Sequence, residues 1–174
     1  MIKIKEKLQE EDKKHFLSEI TSINFGRSSI LALALLIVSF LLLITDYYNY
    51  KNGLWMAEHG YRYLFYCHLL LFSGILLLMP FLLLSRSQNP NHLRWSRAYV
   101  LLLSYLVTLD CSLTSISDQM INGEMTVYIM GIIIFAIINY SSPLSNFLLN
   151  FCASAAFLIG IKLVQTDLDI LKSQ

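Results

Sequence analysis

Long apolar stretches separated by short polar clusters set the pattern of this chain. Runs dense in Leu, Ile, Val, Ala and Phe cover residues 28–45, 61–84, 98–116, 125–140 and 144–164. A helix needs about 20 mostly apolar residues to cross a hydrocarbon layer of about 30 Å, so each run has the composition of a membrane span. The pattern predicts an all-α polytopic membrane bundle of about five transmembrane helices. The fourth run, 125–140, is short for a full crossing and reads equally as a re-entrant segment. Asp46, Tyr47, Tyr48, Asn49 and Tyr50 follow the first run, and tyrosines there suit the headgroup belt. A loop with Gly53, Trp55, Glu58, His59 and Gly60 leads into the second run, which Pro80 should kink or loosen near its end. Asn89-Pro90-Asn91, Asn122-Gly123 and Ser141-Ser142-Pro143 mark the remaining turns.

The first 27 residues are mixed in charge, with Ile4, Leu8, Phe16, Ile20 and Ile23 partly at helical spacing. They predict either a short amphipathic helix on the membrane surface or a solvated tail, with Ser22 or Asn24 capping the next helix. Residues 165–174 form a polar tail. The three units are therefore a cytoplasmic N-terminal segment (1–27), a transmembrane domain (28–164) and that tail. Basic residues favour cytoplasmic loops. Arg86, Arg94 and Arg97 fill one connection, whereas residues 117–124 hold Asp118 and Glu124 and no base, which puts the N-terminus inside. Five spans then leave the C-terminus outside.

Composition agrees and narrows the function classes. Of 174 residues, 56% are hydrophobic and 14% charged, against about 45–50% and about 25% in ordinary soluble domains. The net charge of +1 and the lack of a basic patch with interleaved aromatics exclude nucleic-acid binding and leave the lipid bilayer as the immediate partner. Cys67, Cys111 and Cys152 lie inside apolar runs and read as small buried hydrophobes, not a disulfide framework. The first apolar run has no small-residue cleavage pattern, so it reads as a retained span.

Ionisable groups inside spans are costly and therefore mark candidate sites. His68 falls about 10 Å into the second span at about 1.5 Å per residue, and Asp110 falls at a matching level of the third. If the two spans are neighbours, His68 and Asp110 form a pair able to sense a proton or ligand, or simply to glue two helices. Arg62, Trp55 and Glu58, at the outer hairpin, are the further candidates for ligand contact. Cys67, His68 and Cys111 sit at one level and are the weak candidates for zinc or copper. Neighbours on a helix point about 100° apart, so Cys67 and His68 do not easily face one ion, and no metal or other cofactor is expected. Hydroxyls at Thr108, Ser112, Thr114, Ser115 and Ser117 line a cavity or bond neighbouring backbone. No nucleophile elbow, phosphate loop, HExxH or paired CxxC occurs, so the chain is not expected to be an enzyme.

Ile23-Asn24 and Arg27, the stretch from Asp46 to Trp55, and Gly60-Tyr61-Arg62-Tyr63-Leu64-Phe65-Tyr66-Cys67-His68 resemble the N-terminal membrane region of bacterial diguanylate cyclases. The resemblance covers mainly residues 23–70. It implies a sensor in the bacterial cytoplasmic membrane that detects an extracytoplasmic or membrane-phase signal and acts as a homodimer on a cytoplasmic signalling domain of a longer chain. A sixth span and the cyclase domain are not in this sequence, so the family's enzymatic activity does not carry over. The expectation is a membrane sensory domain, either a fragment or a free-standing relative. The alternatives are a small carrier or channel component with a polar pathway through His68 and Asp110, and a structural partner of another membrane complex.

Overall fold

The structure is a computed structural model that describes residues 2–86, 92–121, 126–138 and 143–172, with side chains described for 12, 15–85, 92–121, 126–134, 147–148, 150–164. The turns expected at Asn89-Pro90-Asn91, Asn122-Gly123 and Ser141-Ser142 lie outside these residues. Every element among the described residues is helical: α1 (Ile2–Lys51), the single turn α2 (Leu54–Ala57), α3 (His59–Arg86), α4 (His92–Gln119), α5 (Thr126–Ile138) and α6 (Pro143–Lys172). Three helical stretches are long and apolar enough to cross a membrane, His15–Lys51, His59–Ser85 and His92–Gln119. Asn150–Val164 is a shorter apolar stretch. At about 1.5 Å per residue the 13 residues of α5 span only about 20 Å.

Two boundaries differ from the sequence expectation, both in α1. No break separates residues 1–27 from the first apolar run; one helix of 50 residues, about 75 Å long, covers both. Ser22 and Asn24 therefore cap nothing. The segment 21–29 holds no proline, and its hydroxyls bond back into the same helix, Thr21 Oγ1 to the Leu17 carbonyl at 2.7 Å and Ser29 Oγ to the Phe25 carbonyl at 2.7 Å. Thr21, Asn24 and Ser28 are buried, and α4 supplies their cover: Arg97 Nε donates to Thr21 Oγ1 at 3.1 Å, and Phe25 meets Tyr99 edge to face at 5.6 Å. At its other end α1 does not stop at Thr45. It continues to Lys51 because no helix breaker precedes Gly53, which adopts φ +78° and turns the chain into α2. Helix α3 likewise runs through Pro80 to Arg86.

Pairings between side chains set the topology. Helix α1 lies antiparallel to α3 (Phe40 near Phe72 and, higher up, Asp46 with His68), and α3 lies antiparallel to α4 (Phe81 against Trp95, Cys67 against Ser117). Helix α4 packs against α1, α3, α5 and α6, which makes it the central element. Its neighbours approach closely because glycines face it. A Cβ at Gly74 of α3 would meet Leu106 at 2.7 Å, and one at Gly131 of α5 would meet Cys111 Sγ at 2.6 Å; Gly160 of α6 is packed under Ile116 in the same way. Small residues of this kind let helices approach where no hydrophobic effect drives them together. One apolar cluster joins Ala32, Leu71, Ile75, Tyr99, Val100, Leu103 and Val107; a second joins Tyr128, Phe157 and Ile161. Ile30, Leu33, Ile37, Leu41 and Ile44 form an outward apolar stripe on α1, as a lipid-facing helix requires.

Candidate functional site

The ionisable groups of the apolar region converge at one end of the three-helix core. Asp46 is carried there by the extra turn and a half of α1 that follows the apolar run. It is 3% exposed, and His68 of α3 is 8% exposed. The two meet directly, with His68 Nδ1 at 2.6 Å from Asp46 Oδ2. With Nδ1–H donating to the carboxylate, the imidazole ties α3 to α1. Asp110 of α4 is 6% exposed and lies within electrostatic range of the same imidazole. Three helices thus each bring one ionisable side chain to a single buried locus.

His68 and Asp110, singled out from the sequence, are brought to the same locus, but the hydrogen-bond partner of His68 is Asp46. In the sequence Asp46 stands with the interfacial tyrosines that follow the first apolar run. The available signal was negative: residues 46–52 contain neither glycine nor proline, so nothing in them ends a helix. Asp110 Oδ1 is buried with no hydrogen-bond partner among the described residues, and so is Thr114 Oγ1 one turn further along α4.

Of the three cysteines read as buried hydrophobes, Cys67 is buried and Cys111 half-buried at helix interfaces, whereas Cys152 is exposed on the outward face of α6. Cys67 is buried with Sγ 3.8 Å from Ser117 Oγ, across the α3–α4 contact. Cys111 is packed against Gly131 of α5. Among the described residues no three His, Cys, Asp or Glu side chains come close enough together to hold a metal ion. The hydroxyls of α4 behave mostly as backbone partners. Ser104, Thr108 and Ser112 donate to the carbonyls four residues earlier at 2.6, 2.7 and 2.9 Å. Their protons are thereby committed within the helix and do not form a relay toward the far end.

The candidates on the hairpin between α1 and α3 sit apart from this locus. Trp55 of α2 is held between Tyr50 at 5.0 Å and Phe65 at 5.1 Å, with its indole Nε1 buried and without a partner among the described residues. Glu58 and Arg62 are exposed. Among the described residues, neither of them is hydrogen-bonded or ion-paired to Asp46 or His68. Lys51 ends α1 with its Nζ 5.1 Å from the centre of the Tyr47 ring, a cation–π contact at the tip of the same hairpin. The arrangement is a polar node enclosed by helices, capped toward one end by an aromatic turn.

The chain matches no protein-family model, and neither the curated proteins nor the solved structures contain a significant match to it.

Proposed function

We propose that this chain is a multi-pass sensory domain of a bacterial cytoplasmic membrane, with its N-terminus inside, that converts a signal at the Asp46–His68–Asp110 node into a rearrangement of α1 against α3 and α4. The output would be a cytoplasmic signalling domain outside this sequence, as in the diguanylate cyclases it resembles. One observation carries the reading: the buried bond between Asp46 and His68 joins two helices, while Asp110 of a third stands within electrostatic range of the same ring. A histidine with carboxylates from two different helices around it has two alternative electrostatic partners, and a change of partner moves helices. Because α1 is one uninterrupted helix from the node to its N-terminal end, a shift at Asp46 is carried along it as a rigid lever.

A carrier would need polar groups continuing inward from the node. The hydroxyls in that direction, on Ser104 and Thr108, bond the backbone of their own helix, which favours the sensor over the pathway. The test is a distance measurement in reconstituted protein. Spin labels on unnatural side chains at exposed Glu19 of α1 and Leu83 of α3 report the end of the core remote from the node, with the native cysteines kept. His68→Gln or Asp46→Asn is expected to add a second distance population there, while Tyr105→Phe on the exposed face of α4 leaves one. Distance distributions identical to the wild type in both node variants would refute the lever.

A further inference from the structure

The outward side of α1 carries a repeat that lipid alone does not explain. From Phe16 the helix steps to Ile20, Ile23 and Arg27, alternating four residues with three. The same alternation goes on through Ile30, Ala34, Ile37, Leu41 and Ile44 to Tyr48, about four and a half heptads without a break. Every position but Arg27 is apolar or aromatic, and all but the half-buried Ile20 are exposed. The side of α1 that faces the core is a different set, with Thr21, Asn24, Ser28, Ala32 and Ser39 buried. A helix that meets only lipid needs an apolar surface, not a step of 3.5 residues; that step keeps one seam facing a second helix as the two supercoil.

The seam also outruns the bilayer. Residues 28–45, at about 1.5 Å each, cover about 27 Å of a hydrocarbon layer about 30 Å thick, so Arg27 stands at its edge. Phe16 lies about 16 Å further along the helix, past a headgroup zone about 5–8 Å deep. It is 59% exposed there, and Ile23, nearer the edge, is 47% exposed. Lipid chains do not reach Phe16, and its own chain leaves it uncovered. Gly26 is an independent sign. Glycine inside a helix costs about 1 kcal/mol relative to alanine, yet a Cβ at Gly26 would meet nothing within 4 Å. No contact inside the chain calls for that glycine. Beside the seam at the level of Arg27, its bare backbone lets a partner helix come close.

We propose that a second copy of this chain covers the seam, α1 against α1, in a parallel two-fold dimer. Copies inserted into one membrane by the same route share an orientation, so the two helices run parallel and each seam position meets its own counterpart about the axis. The area is of the right size. At about 180 Å² for a whole side chain of this kind, the exposed parts of the large seam residues offer roughly 700 Å² per copy, against about 800 Å² per partner in a standard interface. Arg27 is the one charged member. Its guanidinium reaches headgroup phosphates on a long stem, and a single polar residue in such a seam fixes the register at a cost in stability. The dimer does not depend on the Asp46–His68–Asp110 node, which is built on the core-facing side of α1.

The experiment is energy transfer between full-length copies labelled at the C-terminus with donor or acceptor, in neutral-lipid vesicles diluted stepwise with lipid. The wild type is expected to show transfer above the random-collision level, falling reversibly on dilution, with donor quenching linear in the acceptor fraction. Ile30→Ala combined with Ile37→Ala should raise the apparent Kd at least about tenfold. Phe16→Glu combined with Ile23→Glu should do the same, because it sets like charges against each other on the seam. Leu77→Ala, at an exposed apolar position of α3, should leave the Kd unchanged. Should the glutamates prevent insertion, the alanine pair still decides the question. Random-collision transfer in the wild type at every dilution overturns the dimer. Wild-type association in both seam variants, or an equal loss in Leu77→Ala, overturns the seam as its interface, and quenching that curves with acceptor fraction overturns the two-fold arrangement.

Discussion

The bond between Asp46 and His68 is open to a direct energetic test. Replacing Asp46 by Ala removes a carboxylate that is 3% exposed and leaves a buried imidazole nitrogen without its acceptor at 2.6 Å. Leaving one buried polar group unsatisfied costs about 1–3 kcal/mol. The pairwise part is smaller, since polar contacts between membrane helices average about 0.6 kcal/mol in double-mutant cycles and reach about 1.7 kcal/mol. A full cycle of Asp46→Ala, His68→Ala and the double variant, unfolded in mixed micelles or by steric trapping, should therefore give a coupling near the upper end of that range. The burial of both partners and the short distance are the reasons. The same cycle on His68 and Asp110 should give a smaller value, because those two groups interact through space without a hydrogen bond between them. Additivity within about 0.3 kcal/mol for the Asp46 and His68 pair, or a larger coupling for His68 with Asp110, would refute the assignment of Asp46 as the partner.

The other expectations concern the frame around the node. Gly131→Val sets a side chain against Cys111 where a Cβ would already stand 2.6 Å from Sγ, and should lower stability by about 1–3 kcal/mol, measured by the same unfolding assay. Gly53→Ala forces an L side chain into φ +78° and should cost about 1–2 kcal/mol while leaving the helical circular dichroism signal of the core intact. Thr21→Val takes away the acceptor of the Arg97 guanidinium and should cost about 0.5–1.5 kcal/mol, detected also as a wider α1–α4 distance distribution near Arg97. Arg62→Gln, at an exposed position, should leave stability within about 0.5 kcal/mol of the wild type, so any larger loss would mean a buried partner.

Much of the fold was legible in the chain because a bilayer imposes one simple demand. Backbone groups in hydrocarbon must bond internally, so apolar runs of adequate length become helices, and the runs 61–84 and 98–116 lie inside α3 and α4. Glycine and proline were less uniform guides. Gly53 does end α1 through its positive φ, whereas Pro80 does not end α3, and the polar residues 46–50 do not end α1. Polarity in a sequence signals that a residue avoids lipid; it does not say whether water or another side chain receives it. Asp46 illustrates the difference, since a carboxylate after an apolar run reads as interfacial until a partner is in view.

Local sequence is enough to establish that this protein is helical, that several of its helices suit a membrane, and that His68 and Asp110 are ionisable groups set well inside apolar runs. Hydrophobic periodicity and length carry that information locally. Only the packed structure reveals that α4 is central, that α1 is one continuous helix, and that His68 is bonded to Asp46 with Asp110 within electrostatic range of it. Those facts depend on which helix faces meet, and a face is chosen by packing against neighbours distant in sequence: glycine against Leu106 or Cys111, and arginine against threonine across α1 and α4.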